Sequence, residues 1–153
     1  EVILPDGYIF KDENGNIINA TKIVMEKKEK KYPKTYEECC KVLDWNHRDY
    51  DRVGYESELL CKFQVLLLCR DAYWKIAGEE MGLWKPWTPD WEDSEERRYS
   101  IVNIEGDINL PEKTLTKWIL KVTNKILVFP TIKMRDAFYE NFKVLIERCK
   151  ELL

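Results

Sequence analysis

A chain of 153 residues, 44% hydrophobic and 35% charged, fits one globular domain with room for a small appendage, and it is long enough to bury a core without disulfides or metal. The formal charge of −3 argues against broad electrostatic capture of nucleic acid. The five cysteines, Cys39, Cys40, Cys61, Cys69 and Cys149, make no CxxC pair and no even set, so they read as buried free thiols of a reducing compartment rather than a zinc site or a disulfide framework.

Residues 1–4 alternate and stop at Pro5, which suits a short edge strand. Residues 12–16 (DENGN) are a turn signal, and residues 21–25 (TKIVM) read as a second strand, which predicts an N-terminal β-hairpin. Asp12, Asn14 and Asn16 imitate the opening of a calcium loop, but the glycine and closing glutamate are not where such a loop needs them, so the turn is preferred. Asn19-Ala-Thr21 matches a glycosylation sequon, a triplet that is common by chance. The run EKKEKK at 26–31 is a solvated linker, which divides the chain into 1–31, hairpin and charged linker, and 33–153, a single α+β domain.

The first helix opens at Thr35, with Glu38 three residues on as in a capping box, and runs to about Leu43. Residues 44–54 form a polar loop with the only histidine, His47. His47, Asp49 and Asp51 are too few ligands for a metal centre, so a solvated loop is preferred and no metal is expected.

The central helix is expected over 56–78, ending at Gly78 or Gly82 as a left-handed cap. Leu59, Phe63, Leu66, Leu67, Arg70, Tyr73, Trp74 and Ala77 recur at helical spacing, and its middle is apolar nearly all round, which calls for cover from more than one side. Arg70 is a candidate ligand-binding cation; the preferred alternative lays its stem on apolar surface with a local partner.

Residues 83–91 (LWKPWTPDW) hold three tryptophans and two prolines. Pro86 and Pro89 forbid a regular helix, so an extended strap is expected, anchored on the core by some of its rings. Tryptophan faces also bind rings and cations, which makes Trp84, Trp87 and Trp91, with Arg70 and Lys85, the candidate ligand-binding set. An extended strap puts Trp87 and Trp91 on one side and Trp84 on the other. Residues 92–98 read as a charged loop.

From Tyr99 the period becomes that of strands: 99–104, a possible return at 108–110, 116–122 and the apolar 126–129. They predict a small antiparallel meander packed against two long helices, hence an α+β fold. Thr131 follows Pro130 as the N-cap of a final helix whose stripe is Met134, Phe138, Phe142, Leu145, Cys149 and Leu152, with Arg135, Glu140, Lys143 and Glu147 largely outside it.

The opening EVILPDGY with TKIVMEKKEKKYPKTYEEC, and later WKPWTPDW, Tyr99-Ser-Ile, ILVFPT and MRDAFYENFKVLIERCKELL, resemble uncharacterised proteins of phages, prophages and mobile elements of gut Bacteroidetes. The resemblance implies a source and an architecture and carries over no catalytic residue or cofactor. The first function expected is therefore a non-enzymatic, phage- or mobile-element-encoded binding or accessory protein. It would act in the host cytoplasm on a host or phage protein, or by self-association. The alternatives are a virion-associated structural protein, such as a capsid or fibre accessory, and a small-molecule or nucleotide-binding protein that uses the strap. Neither nucleic acid nor membrane is an expected partner, and the apolar run at 65–69 is far too short to span a bilayer.

Overall fold

The computed structural model of the protein describes residues 10–18, 31–46, 58–112 and 125–153. The strands expected over 1–4, 21–25 and 116–122, the sequon and the His47–Asp49–Asp51 loop lie outside them. The chain divides into two compact units, Glu1–Lys31 and Tyr32–Leu153.

In the first unit β1 (Phe10–Lys11) and β2 (Ile17–Ile18) pair antiparallel, Phe10 opposite Ile18 and Lys11 opposite Ile17. Asp12 closes the connection. Its Oδ1 accepts from the backbone N–H of Asn14 at 2.9 Å and of Asn16 at 2.8 Å, and its Oδ2 accepts from the Asn16 side-chain amide at 2.9 Å. These bonds, the Asn16 side chain foremost, favour the carboxylate and hold its pKa below the usual value. The residues that imitate a calcium loop are engaged with one another, as an Asx turn requires.

The second unit is a mixed α+β body with a three-stranded antiparallel sheet. Helix α1 (Tyr36–Val42) starts where Thr35 takes extended dihedrals and its hydroxyl accepts from the Glu38 N–H at 3.2 Å. Glu38 reaches back one residue further than a standard capping box, to the Lys34 N–H at 2.6 Å. Helix α2 (Glu58–Glu80) ends in a Schellman motif: Leu83 N–H bonds the Gly78 carbonyl at 2.8 Å and Gly82 N–H bonds that of Glu79 at 3.1 Å, with Gly82 at φ 71°. Helix α3 (Ile132–Arg148) is capped by Thr131, whose hydroxyl accepts from Met134 N–H at 3.1 Å. It is kinked at Phe142, at φ −121° and ψ 19°, and passes through Cys149 into a short 3-10 turn at Lys150–Leu152.

Strand β3 (Tyr99–Ile104) is central, with β4 (Asp107–Asn109) on one side and β5 (Leu127–Phe129) on the other. Val102, Asn103 and Ile104 face Asn109, Ile108 and Asp107, while Tyr99, Ser100 and Ile101 face Phe129, Val128 and Leu127. The described strands thus depart from the neighbour-to-neighbour order of a meander. Burial fits the order: β5 is buried at all three positions and lies beneath the helices, whereas β4 is mostly exposed and is an outer strand among the described residues.

Tyr73 of α2 is the centre of the core. Its ring stacks on Tyr32 at 5.3 Å between centroids and meets Phe138 at 4.9 Å, Phe142 at 6.0 Å and Phe129 at 6.2 Å edge-on. The fully buried hydroxyl donates to the Pro33 carbonyl at 2.8 Å and accepts from the Asn141 side-chain amide at 2.9 Å. Burial pushes its pKa upward, so the hydroxyl keeps its proton and remains a donor. One phenol thereby ties the approach to α1, helix α2 and helix α3 together.

Two expectations from the pattern need amendment. Arg135, placed outside the α3 stripe, is only 4% exposed; its guanidinium bonds Asp136 at 2.8 Å and the Pro111 carbonyl, so a polar head enters the core paired. Beyond the kink the buried positions are Ile146, Cys149 and Leu153, and Leu145 is half-buried against the same core, since residues three and four beyond Phe142 share the buried face. All five cysteines are free thiols; a hydrogen bond with Cys39 and then burial push Cys69 upward, and burial raises Cys40 and Cys149.

Tyr73→Phe removes the hydroxyl that bridges the Pro33 carbonyl and the Asn141 amide, leaving them only their longer mutual bond of 3.4 Å, and is expected to cost about 1 kcal/mol. Phe138→Ala is expected to cost about 3–5 kcal/mol. Chemical denaturation of both variants checks this, and unchanged midpoints contradict the packing described.

Candidate functional site

After Gly82 the chain turns back over α2 as a strap, and the close approach is at Gly78. A methyl group there would lie 2.2 Å from the Lys85 carbonyl, 2.9 Å from the Trp87 nitrogen and 3.0 Å from the Pro86 Cα, all backbone atoms that cannot swing aside. Next to this crossing the Trp87 N–H donates to the Trp74 carbonyl at 3.0 Å. The helix therefore receives the strap by backbone contact, and only glycine fits at the crossing.

The three strap tryptophans have different fates. Trp87 is 5% exposed and meets Trp74 edge-on at 5.8 Å, with its indole N–H donating to Glu96 at 3.2 Å. Trp91 is 38% exposed, and its ring is held by two cations, Lys125 Nζ at 4.7 Å and the Arg98 guanidinium at 5.0 Å from its centroid. Trp84 is 92% exposed, with Lys85 Nζ at 6.0 Å. Met81 and Leu83, on either side of Gly82, are exposed as well and extend the apolar tip.

Arg70 is not part of this group. Its guanidinium lies 4.1 Å over Trp74, bonds Asp71 at 2.7 and 3.0 Å, and donates to the Ile126 carbonyl at 3.2 Å. Together with the Trp74 indole N–H on the Val128 carbonyl at 2.7 Å, it fastens α2 to the run of β5. A side chain with every donor group so directed is a structural clasp, the preferred reading of the sequence.

The strap is closed by two residues that read as members of a charged loop. Glu96 accepts from the Trp87 indole and, at 2.7 Å, from the Asp90 N–H. Arg98 is 6% exposed and donates to the carbonyls of Asp90 at 2.8 Å and Asp93 at 2.9 Å, while covering Trp91. Its only sequence signal is a position immediately before a strand, where a side chain folds back over the loop that precedes it. Between strap and loop lies a groove of about 570 Å³ on which Leu83, Lys85, Trp91, Asp90, Glu92 and Glu96 open. Trp87 forms its floor and Arg70 does not line it.

Among the described residues no group of three or more His, Cys, Asp or Glu side chains is arranged to hold a metal, and no helix is long and apolar enough to cross a membrane. Comparison with protein-family models, curated proteins and solved structures finds no match to the chain.

Gly78→Ala forces the strap off α2 and is expected to cost about 1–3 kcal/mol, the usual penalty of overpacking. It should also redden the fluorescence of Trp87 as water reaches it. A variant with unchanged stability and emission contradicts the crossing.

Proposed function

We propose that the protein is a non-enzymatic binding protein of a phage or mobile element, and that it engages a protein partner through the Trp84 end of the strap. The observation that carries the proposal is the contrast between Trp84 and Trp87. The fold buries Trp87 three residues away, yet leaves the Trp84 ring in water. A tryptophan ring contributes roughly 150–250 Å² of surface, and its burial is worth on the order of 4–6 kcal/mol. A fold that can anchor its strap without that contribution leaves it for association, and tryptophan is enriched among the residues that anchor interfaces. The strap is fixed by Gly78, Glu96 and Arg98, so docking need not order it.

The source follows the residues quoted for the resemblance, and the host cytoplasm is proposed as the compartment. Five unpaired thiols, four of them buried, support a reducing environment.

A photo-crosslinking amino acid at position 84, in the full chain expressed in a bacterial host carrying the element, tests the proposal. The expected result is one discrete adduct, identified by mass spectrometry, that is missing when the same label replaces Val144 on α3, which is also exposed. An adduct of twice the chain mass assigns self-assembly in place of a partner. Identical patterns from both positions contradict docking at Trp84.

A further inference from the structure

Resting on that proposal and deepening it, we infer that the partner presents a basic peptide segment with an apolar anchor. The anchor packs on Trp84 and Leu83, and its lysine or arginine side chains lie in the groove. The first observation is where the charge of the chain sits. Residues 79–98 carry seven carboxylates, on Glu79, Glu80, Asp90, Glu92, Asp93, Glu95 and Glu96, against three cations, Lys85, Arg97 and Arg98. That stretch nets −4, while the whole chain nets −3, so the rest of the chain nets +1. Two of the seven, Glu79 and Glu80, end α2; the strap and loop themselves, residues 83–98, carry five carboxylates against the same three cations and net −2 of the chain's −3.

The second observation is how those charges are disposed. Two nearby cations, Arg98 and Lys125, are turned onto the Trp91 ring, and Arg98 is buried there on two backbone carbonyls. Arg98 is thereby committed, whereas the exposed Lys125 lies beside the groove-lining Trp91 and offsets part of the negative charge there. Three carboxylates, Asp90, Glu92 and Glu96, line the groove against one cation, Lys85. Glu96 is tied to the strap and has Arg98 at 3.8 Å, but Glu92 and Glu95 are exposed and their carboxylates organise none of the loop bonds described above. An incoming cation therefore gains from the groove carboxylates, Glu92 foremost, while Trp84, next in the chain to the groove-lining Leu83, is left for the apolar anchor.

The third observation concerns the backbone. Pro86 and Pro89 carry no N–H, and the Trp87 N–H is committed to α2, so the strap cannot accept a partner as an added strand. Recognition has to run through side chains, which puts the weight on the ring and the carboxylates. The same negative rim repels phosphate backbones, so a nucleic acid is the wrong occupant.

The test is selection of a displayed random peptide library on the immobilised full chain at low salt, followed by affinity measurements on resynthesised peptides. The expected winners carry net positive charge and an aliphatic or aromatic residue. Their affinity should fall about tenfold or more with Trp84→Ala and several-fold with the pair Glu92→Lys and Glu95→Lys, and should weaken as salt rises. All three positions are exposed and should leave the melting midpoint in place. Neutral or acidic winners, or none at all, overturn the inference. If Trp84→Ala abolishes binding and charge reversal does nothing, the docking site stands and the basic partner is wrong. If Trp84→Ala leaves binding intact, the docking site itself is wrong. A concentration-dependent dimer that Trp84→Ala dissolves assigns the surface to a second copy and likewise overturns the inference.

Discussion

The absence of a side chain at Gly78 is the constraint on which the strap side of the molecule depends. Three backbone atoms of the strap occupy the space a methyl group would need, and the Trp74 carbonyl one turn earlier receives the Trp87 N–H. With Trp87 held there, its indole fixes Glu96, Glu96 fixes Asp90, and Arg98 closes the loop on the Asp90 and Asp93 carbonyls. Strand β3 starts at the next residue, Tyr99, already in register with Phe129. A helix, a strap and a sheet are thus joined in sequence by bonds that begin at one glycine.

Adjacent residues of α2 divide the work. Tyr73 and Trp74 are about 100° apart around the helix axis, so they face different neighbours. Tyr73 turns to α3 and the aromatic cluster, where a single hydroxyl joins Pro33 and Asn141. Trp74 turns to the strap and to β5, bonding the Val128 carbonyl while Arg70 lies across its face. A helix with partners on several sides needs apolar residues around most of its circumference, which explains why its middle shows no single clean stripe.

Features set by local chemistry were legible in the sequence. Thr35 and Thr131 cap their helices, Gly82 ends α2, and the two prolines make 83–91 a strap, because each depends on residues within one turn. What escaped depends on contacts distant in the chain. Arg98 and Glu96 look like solvated charges until the strap is known to fold over them, and Arg135 looks exposed until Pro111 is placed beside it. Gly78 read as a possible cap because a glycine near a helix end signals both a stop and a close approach, and only the strap distinguishes them. The α3 stripe was legible through Phe142 and Cys149, with Leu145 half-buried on the core and its neighbour Ile146 taking the fully buried place. The candidate set was legible as a set of rings but not in its division of labour: Trp87 is floor, Trp91 is part-exposed but clamped by two cations, Arg70 fastens α2 to β5, and Trp84 with Lys85 stands in solvent.

The central claim is that one fixed strap holds Trp87 inside and Trp84 outside at the same time. Fluorine NMR of fluorotryptophan-labelled protein, with the two resonances assigned by substitution, measures this directly when light water is exchanged for heavy water. The account predicts a full solvent isotope shift for Trp84 and none for Trp87. Equal shifts for the two rings, or a shift at Trp87 larger than at Trp84, would contradict it.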